Sequence, residues 1–273
     1  MSSRSDSTLI DDLTTIVSRA AAAILAARES ALNTRTKADQ SPVTAADDAS
    51  EAIIIDGVAR LLPGVPVISE EAHARTASGP VGHEFILVDP VDGTRELVAG
   101  RDEFTINLGL VRAGLPVLGI VAAPALGMVW RTAPAGGAQR FRLMPGAAAD
   151  AATDVAAIHT RTMPKVGIVA AVSRSHFDPA TDAFLARLGD VQRLASGSAI
   201  KLCRVAEGSA DVYPRLASTH QWDVAAGHAI LAAAGGSVTT PDRKPLTYQP
   251  NSEGLRVPGF IAWGDPAAVN AGR

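Results

Sequence analysis

Hydrophobic positions in the first quarter of the chain follow the period of α-helices. Seven apolar residues repeat at helical spacing and predict a long amphipathic first helix: Leu9, Leu13, Ile16, Val17, Ala20, Ile24 and Leu25. A second helix is predicted over residues 46–62, and the Pro63-Gly64 pair ends it. The chain therefore begins with two predicted helices.

Short apolar runs bounded by turn residues predict strands in the middle of the chain. The predicted strands cover residues 65–68, 85–88, 104–111, 117–122 and 128–131. Apolar residues within 104–111 alternate with Thr, Asn and Gly, which is the period of a strand. Residues 133–165 are rich in Ala, Gly and Pro and show only weak periodicity, so we place a domain boundary near their end.

Beyond that boundary, predicted strands alternate with predicted helices. Strands are expected at residues 166–172, 210–213, 237–239 and 259–263. Helices are expected over 198–207 and 223–234, and another begins at Asp178, the N-cap, with Pro179 in its first position. Such alternation is typical of a layered α/β arrangement. The pattern thus predicts two sheet-containing halves, residues 1–160 and 161–273.

Composition and charge narrow the class of protein. Of the 273 residues, 47% are hydrophobic and 19% are charged, a balance typical of globular proteins. The net charge of −3 comes without a basic stripe, so we expect no nucleic-acid polymer as partner. Cys203 is the single cysteine, which excludes an internal disulfide and fits a reducing compartment. The apolar stretch 115–130 is broken by proline and glycine, so we expect no transmembrane segment and a cytoplasmic location, with peripheral inner-membrane contact left open.

One short acidic motif carries the clearest chemical signal. Residues 89–94 read Asp-Pro-Val-Asp-Gly-Thr and directly follow the predicted strand 85–88. Two carboxylates this close repel one another unless a cation lies between them. The Gly-Thr pair beside them offers backbone N–H groups to an anion. A metal ion next to an anion indicates phosphate chemistry.

Three further acidic residues each have an ordinary explanation when taken alone. Asp47 could be a first-turn helix carboxylate, Glu70 a surface acid and Asp223 a helix N-cap. Together with the motif at 89–94 they form four ordered motifs, the other three being Thr44-Ala45-Ala46-Asp47, Ser69-Glu70-Glu71 and Trp222-Asp223-Val224-Ala225-Ala226-Gly227. This set resembles the inositol monophosphatase superfamily of lithium-sensitive, magnesium-dependent phosphatases. The resemblance implies a layered αβαβα sugar-phosphatase fold of α+β and α/β halves.

The resemblance also implies a metal site. Glu70, Asp89 and the carbonyl of Val91 would hold one Mg²⁺. Asp89, Asp92 and Asp223 would hold a second, so that Asp89 is shared between two ions. A weaker third ion near Glu70 is also compatible with the superfamily. Residues 1–160 would then carry most metal ligands, and residues 161–273 would carry Asp223 and the substrate-binding residues.

Catalytic roles follow from the same resemblance. Thr94 would hydrogen-bond to Asp47, and this pair, together with Glu70, would orient and deprotonate a metal-activated water that attacks phosphorus. The backbone N–H groups of Gly93 and Thr94 would hold the phosphate.

Two cations outside the motifs point to the substrate. Lys201 stands where inositol monophosphatases carry asparagine, and Arg215 stands where they carry a glutamate that binds a sugar hydroxyl. Two cations suit a second phosphate, and the chain accordingly resembles the bacterial 3′(2′),5′-bisphosphate nucleotidases of the CysQ type. These convert 3′-phosphoadenosine 5′-phosphate to AMP and phosphate in sulfur assimilation. Ser198, Lys201 and Arg215 would bind the remaining phosphate or ribose, with His176 near the nucleotide.

Two departures and two alternatives stay open at this point. The chain has Arg95-Glu96-Leu97 where the nucleotidases have Lys-Glu-Phe, and Leu216-Ala217 where they have an aromatic-glycine pair. One alternative function is an inositol or sugar monophosphatase of the same superfamily. Another, from a different class, is an inactive regulator that binds nucleotide or metal. The expected oligomeric state is a monomer or a homodimer.

Overall fold

The computed structural model describes residues 6–30, 35–36, 42–75, 82–174, 178–249 and 254–270. The predicted nucleotide-proximal residue His176 lies outside them.

Seven α-helices form within the described residues. They are α1 (Asp6–Glu29), α2 (Ala45–Leu61), α3 (Glu70–Arg75), α4 (Thr94–Val98), α5 (Pro179–Arg187), α6 (Ile200–Ala206) and α7 (Gln221–Ala233). The hydroxyl of Thr44 accepts a hydrogen bond from the Ala46 N–H and so caps α2. Asp178 caps α5 in the same way, and Pro179 occupies its first position as predicted. Within the described residues, no helix is long and apolar enough to cross a membrane.

Most strands of the N-terminal half belong to one seven-stranded sheet. A separate antiparallel pair, β1 (Arg35–Thr36) and β2 (Pro42–Val43), precedes it. The sheet contains β3 (Val67–Ser69), β4 (Glu84–Asp92), β5 (Thr105–Arg112), β6 (Leu115–Ala123), β7 (Met128–Thr132), β8 (Ala138–Arg142) and β9 (Thr153–Ile158), side by side in chain order. The β3–β4 pair is parallel, and all others are antiparallel. The register of β4 against β5 shifts between Asp89 and Asp92, so both carboxylates lie at an irregular strand end.

The C-terminal half forms a five-stranded mixed sheet and a small strand pair. The strands of this half are β10 (Ile168–Ser173), β11 (Val191–Ser196), β12 (Val212–Arg215), β13 (Thr219–His220), β14 (Ser237–Thr239), β15 (Arg256–Val257) and β16 (Phe260–Trp263). The sheet order is β11-β10-β12-β16-β14, and β13 pairs with β15 outside it. Three short 3₁₀ turns complete the elements of the described residues, at Pro124–Leu126, Ala149–Ala151 and Pro266–Asn270.

The elements stack in five layers, which confirms the predicted αβαβα fold. Alternate residues of β4 show the layering: Ile86 and Val88 pack towards α1 and α2, whereas Phe85 and Leu87 face a core shared with α6 and α7. The five-stranded sheet covers the other side of α6 and α7, and α5 packs on its outer face. The chain passes from one sheet to the other between residues 158 and 168. The predicted boundary at 160 falls in this connection, although the division into two domains stays a prediction.

Most predicted elements are present within two or three residues of their predicted ends. Among the described residues, seven strands were not predicted: β1, β2, β8, β9, β11, β13 and β15. β9 and β11 are edge strands, and five of the six residues of β9 are exposed, so neither buries a face that would show as alternation. Cys203 is fully buried in α6, as expected of a structural thiol.

Candidate active site

A cavity of about 340 Å³ lies between the two halves of the chain. Ten predicted site residues line it: Glu70, Asp89, Val91, Asp92, Gly93, Thr94, Ser198, Lys201, Arg215 and Asp223. Asp47 reaches the same place through its contact with Thr94. The fold therefore gathers residues that are up to 176 positions apart, counted from Asp47 to Asp223, around one space.

The acidic motif forms a turn that is held by one hydrogen bond within the motif and one from α2. The N–H of Val91 donates to Oδ1 of Asp89 at 3.0 Å, and the hydroxyl of Ser50 donates to the carbonyl of Pro90 at 2.9 Å. Gly93 adopts φ +91°, which a residue with a side chain rarely takes, and this allows α4 to begin directly at Thr94. The turn thus brings Asp92 and the start of α4 to the cavity.

Asp47 and Thr94 meet at the edge of this turn. Oγ1 of Thr94 lies 3.2 Å from Oδ1 of Asp47 and 3.1 Å from the carbonyl oxygen of Val91. The other carboxylate oxygen of Asp47 accepts hydrogen bonds from the N–H and the hydroxyl of Thr44, at 2.8 and 2.7 Å. Asp47 is 1% exposed. The capping interaction at the start of α2 therefore also fixes the carboxylate that faces Thr94.

The acidic residues that line the cavity share one electrostatic environment. Burial, followed by the charges of Glu70, Asp92 and Asp223, raises the pKa of Asp89 well above its ordinary value. Burial and then Asp223 raise the pKa of Asp92 to about 6. Asp223 itself accepts hydrogen bonds from the Thr219 hydroxyl and from the His220 N–H. This concentration of negative charge is unfavourable unless a cation neutralises it.

The donor set fits a hard divalent cation. It consists of carboxylate oxygens and one backbone carbonyl, the ligands that Mg²⁺ prefers. Asp89, Asp92 and Asp223 each accept hydrogen bonds from protein donors, and within the described residues no three His, Cys, Asp or Glu side chains close on a single point. Two observations therefore support a metal site: the donors are oxygen atoms, and the carboxylates repel one another. The described residues do not form a complete set of ligands around one point.

Positively charged side chains form a second, cationic side of the cavity. Lys201 is 3% exposed, its Nζ donates to the carbonyl of Ser198 at 2.6 Å, and it lies 5.4 Å from the centre of the Tyr213 ring. The charges of Lys201 and Arg215 both lower the pKa of Asp92, so both act on the acidic cluster. Burial disfavours the charge on Arg215, but Tyr213 and Asp223 outweigh it and raise the pKa of the guanidinium. Within the described part of the chain, the buried Nε of Arg215 has no hydrogen-bond partner.

Several cavity residues were missed at the level of the sequence. His220 stacks on Trp222 with ring centroids 4.5 Å apart, and its Nε2 lies 3.3 Å from Nη1 of Arg256. The β13–β15 pairing brings His220 and Arg256 together. His220 could have been found from its position beside the Trp-Asp motif. Arg256 has no local signal, because only the pairing of two short strands brings it to the cavity.

Several known proteins are similar to this chain along most of its length. A family model described as "Inositol monophosphatase family" matches residues 6–259. The 3′(2′),5′-bisphosphate nucleotidase CysQ of Escherichia coli (strain K12) is 40% identical over 225 residues, which is 82% of this chain and 86% of that protein. The protein of the same name from Haemophilus influenzae is 30% identical over 84% of this chain and 82% of its own length.

Solved structures show the same similarity. The crystal structure of CysQ from Bacteroides thetaiotaomicron, described as a bacterial member of the inositol monophosphatase family, matches with a TM-score of 0.77 and 32% identity, over 94% of this chain and 97% of that one. An inositol monophosphatase from Anabaena matches with a TM-score of 0.72 and 25% identity, over 96% and 93%.

Proposed function

The chain belongs to the inositol monophosphatase family, and we propose that within it the chain is a Mg²⁺-dependent 3′(2′),5′-bisphosphate nucleotidase. It hydrolyses 3′-phosphoadenosine 5′-phosphate to AMP and phosphate. Magnesium dependence is general in this family. The nucleotidases of E. coli and H. influenzae support the substrate class.

One observation carries the proposal: a single cavity has an acidic side and a cationic side, and charges on both sides act on Asp92. Asp223 raises the pKa of Asp92, whereas Lys201 and Arg215 lower it. An acidic cluster that binds metal can take the phosphate that is hydrolysed. Nearby cations then suit a second anionic group, which a monophosphate lacks.

We assign the metal ligands that the resemblance to the superfamily implies. Glu70, Asp89 and the Val91 carbonyl would hold one Mg²⁺, and Asp89, Asp92 and Asp223 a second, with a third ion near Glu70 as an option. Bound Mg²⁺ would supply Lewis-acid activation of the attacking water and would neutralise charge on the phosphoryl group and the departing oxygen. The carboxylates would contribute negative charge that balances the positive charge of a buried ion.

Asp47 and Thr94 would accept the proton of the attacking water. Thr94 Oγ1 lies 3.2 Å from Asp47 Oδ1, so the hydroxyl can donate to the carboxylate while its lone pair accepts a proton from water. Thr44 holds the other oxygen of Asp47 and prevents the carboxylate from turning away. The N–H groups of Gly93 and Thr94 would receive the phosphate oxygens.

The second anionic group would lie against Lys201 and Arg215. Arg215 has a buried Nε without a partner in the described residues, and a guanidinium suits phosphate oxygens. The hydroxyl of Ser198 lies 2.7 Å from the carbonyl of Asp92 and 3.1 Å from that of Glu103. Because its hydrogen is used there, this hydroxyl can only accept from a ligand, which suits a ribose hydroxyl better than a phosphate. The position of His176 near the nucleotide stays a prediction.

Steady-state kinetics with Mg²⁺ test the proposal. We expect kcat/KM for 3′-phosphoadenosine 5′-phosphate to exceed that for inositol 1-phosphate, with AMP as the nucleotide product. Equal or faster inositol 1-phosphate hydrolysis would instead assign an inositol monophosphatase. The Asp92→Asn variant should release no phosphate. Absence of phosphate release from the wild-type protein as well would favour an inactive regulator.

A further inference from the structure

Glu103 joins two parts of the cavity that are distant in the sequence. It lies two residues before β5, and its Oε2 accepts a hydrogen bond from the N–H of Gly197 at 2.7 Å. Nη1 of Arg174 lies 2.8 Å from the same oxygen. One carboxylate oxygen of the N-terminal half is therefore held by a backbone N–H and a guanidinium of the C-terminal half. Charge-assisted contacts of this kind are stronger than neutral ones.

Ser198 completes this junction on the neighbouring backbone. Its hydroxyl lies 2.7 Å from the carbonyl oxygen of Asp92 and 3.1 Å from that of Glu103. Ser198 has φ +48°, in the left-handed region that residues with side chains adopt only when their surroundings hold them there. Its own carbonyl accepts from Nζ of Lys201 at 2.6 Å. A continuous chain of hydrogen bonds thus runs from Asp92 through Ser198 to Lys201.

Two glycines allow these backbones to approach closely. A Cβ on Gly93 would overlap the hydroxyl oxygen of Ser198. A Cβ on Gly197 would lie 2.5 Å from the carbonyl oxygen of Glu103, closer than real contacts allow. The two loops are therefore in close contact, and the hydrogen bonds of the Glu103 carboxylate and of the Ser198 hydroxyl hold them together.

We propose that Glu103 is a positioning residue that fixes the spacing between Asp92 on the acidic side of the cavity and Lys201 on its cationic side. It thereby sets the preference for a substrate with two anionic groups, a role that rests on the proposed function. A bisphosphate must place both groups at once, whereas a monophosphate needs only the acidic side. Small errors in placement are costly, since about 1 Å can reduce a rate about a hundredfold.

The experiment compares Glu103→Ala and Glu103→Gln with a matched control, Asp102→Asn. Asp102→Asn removes the same charge one residue from Glu103, but the partner of Asp102 is Arg28, at 2.9 Å. For each variant, kcat and KM are measured with adenosine 3′,5′-bisphosphate, which is another name for 3′-phosphoadenosine 5′-phosphate, and with 3′-AMP. All measurements are made below the melting temperature of the variant.

We expect Glu103→Ala to lower the kcat/KM ratio of bisphosphate to monophosphate by about tenfold or more. Glu103→Gln should recover part of the ratio, because an amide oxygen still accepts from the Gly197 N–H. Asp102→Asn should leave the ratio unchanged. A Glu103→Ala variant that melts earlier but keeps the wild-type ratio would overturn the proposal, because Glu103 would then only stabilise the fold.

Amide hydrogen exchange separates this proposal from the proposed function. Faster exchange at residues 92–94 and 197–201 in Glu103→Ala, but not in Asp102→Asn, would support the junction even if the wild-type enzyme preferred a monophosphate. Such a preference for a monophosphate would overturn the proposed function and the role of Glu103 in selectivity. It would leave the structural junction standing. Unchanged exchange in both segments would overturn the junction itself.

Discussion

Oγ1 of Thr94 lies 3.2 Å from Oδ1 of Asp47, although 47 positions separate the two residues in the chain. Asp47 belongs to the first turn of α2, and Thr94 is the first residue of α4. Their contact joins a helix cap to the turn that carries Asp92. We propose that the pair accepts the proton of the attacking water.

Replacing Thr94 by alanine should lower kcat by about a hundredfold, because the hydroxyl that links water to Asp47 is lost. KM should change little, since the phosphate is held by backbone N–H groups and charged residues. Thr94→Ser keeps the hydroxyl and serves as the control, with most activity retained. Steady-state kinetics distinguish the two variants. A raised KM with normal kcat would mean that Thr94 binds substrate only.

Asp89→Asn should have opposite effects on stability and on activity. Burial and the neighbouring carboxylates raise the pKa of Asp89, so removal of its charge should raise the melting temperature of the metal-free protein. The wild-type protein should gain about 2.7 kcal/mol from Mg²⁺ at a hundredfold excess over Kd. The variant should lose most of this gain and its activity. Thermal melts with and without Mg²⁺ measure both effects, and an unchanged response to Mg²⁺ would contradict the ligand assignment.

Gly119→Ala should destabilise the protein by about 2–3 kcal/mol. A Cβ at this position in β6 would overlap the carbonyl oxygen of Ala226 and would lie 3.0 Å from Cβ of Ala229, both on α7. The added methyl group would push α7, which carries Asp223, away from the sheet. Gly82→Ala is the control, because nothing lies within 4 Å of its new Cβ. Urea denaturation measures the difference, and equal stabilities would argue against this close packing.

His228 predicts a specific pH dependence of stability. Burial lowers its pKa to about 4 from 6.5, and its Nδ1 lies 3.0 Å from the hydroxyl of Tyr248. Below pH 6.5 the unfolded chain binds a proton that the folded chain does not bind until pH falls to about 4. Stability should therefore fall across this window as the solution becomes more acidic, by about 3 kcal/mol from this group.

The His228→Gln variant should lack that part of the loss. Denaturation curves at several pH values between about 7 and 4 measure the slope for each protein. His83→Gln is the control, because His83 is exposed and its removal changes no buried imidazole. An identical slope in wild type and His228→Gln would show that His228 is not the source of the acid sensitivity.

Sequence patterns predicted the acidic side of the cavity because its residues lie in short local motifs. The turn at 89–94 follows a buried apolar strand, and Asp47 and Asp223 both lie in the first turns of helices. The edge strands β9 and β11 could not be predicted, since they bury little and lack alternation. Arg256 and Glu103 likewise escaped notice, because their roles arise from contacts between distant segments.

The most direct test of a cavity that selects two anionic groups is the ratio of kcat/KM for adenosine 3′,5′-bisphosphate to that for 3′-AMP, measured in the wild-type protein and in Arg215→Glu. The wild-type ratio should be about tenfold or more, because a charge-assisted hydrogen bond contributes about 1.5–3 kcal/mol. In Arg215→Glu the ratio should fall to about one or below, while 3′-AMP hydrolysis persists. A ratio that stays unchanged in the variant, or a wild-type enzyme without preference for the bisphosphate, would contradict the account.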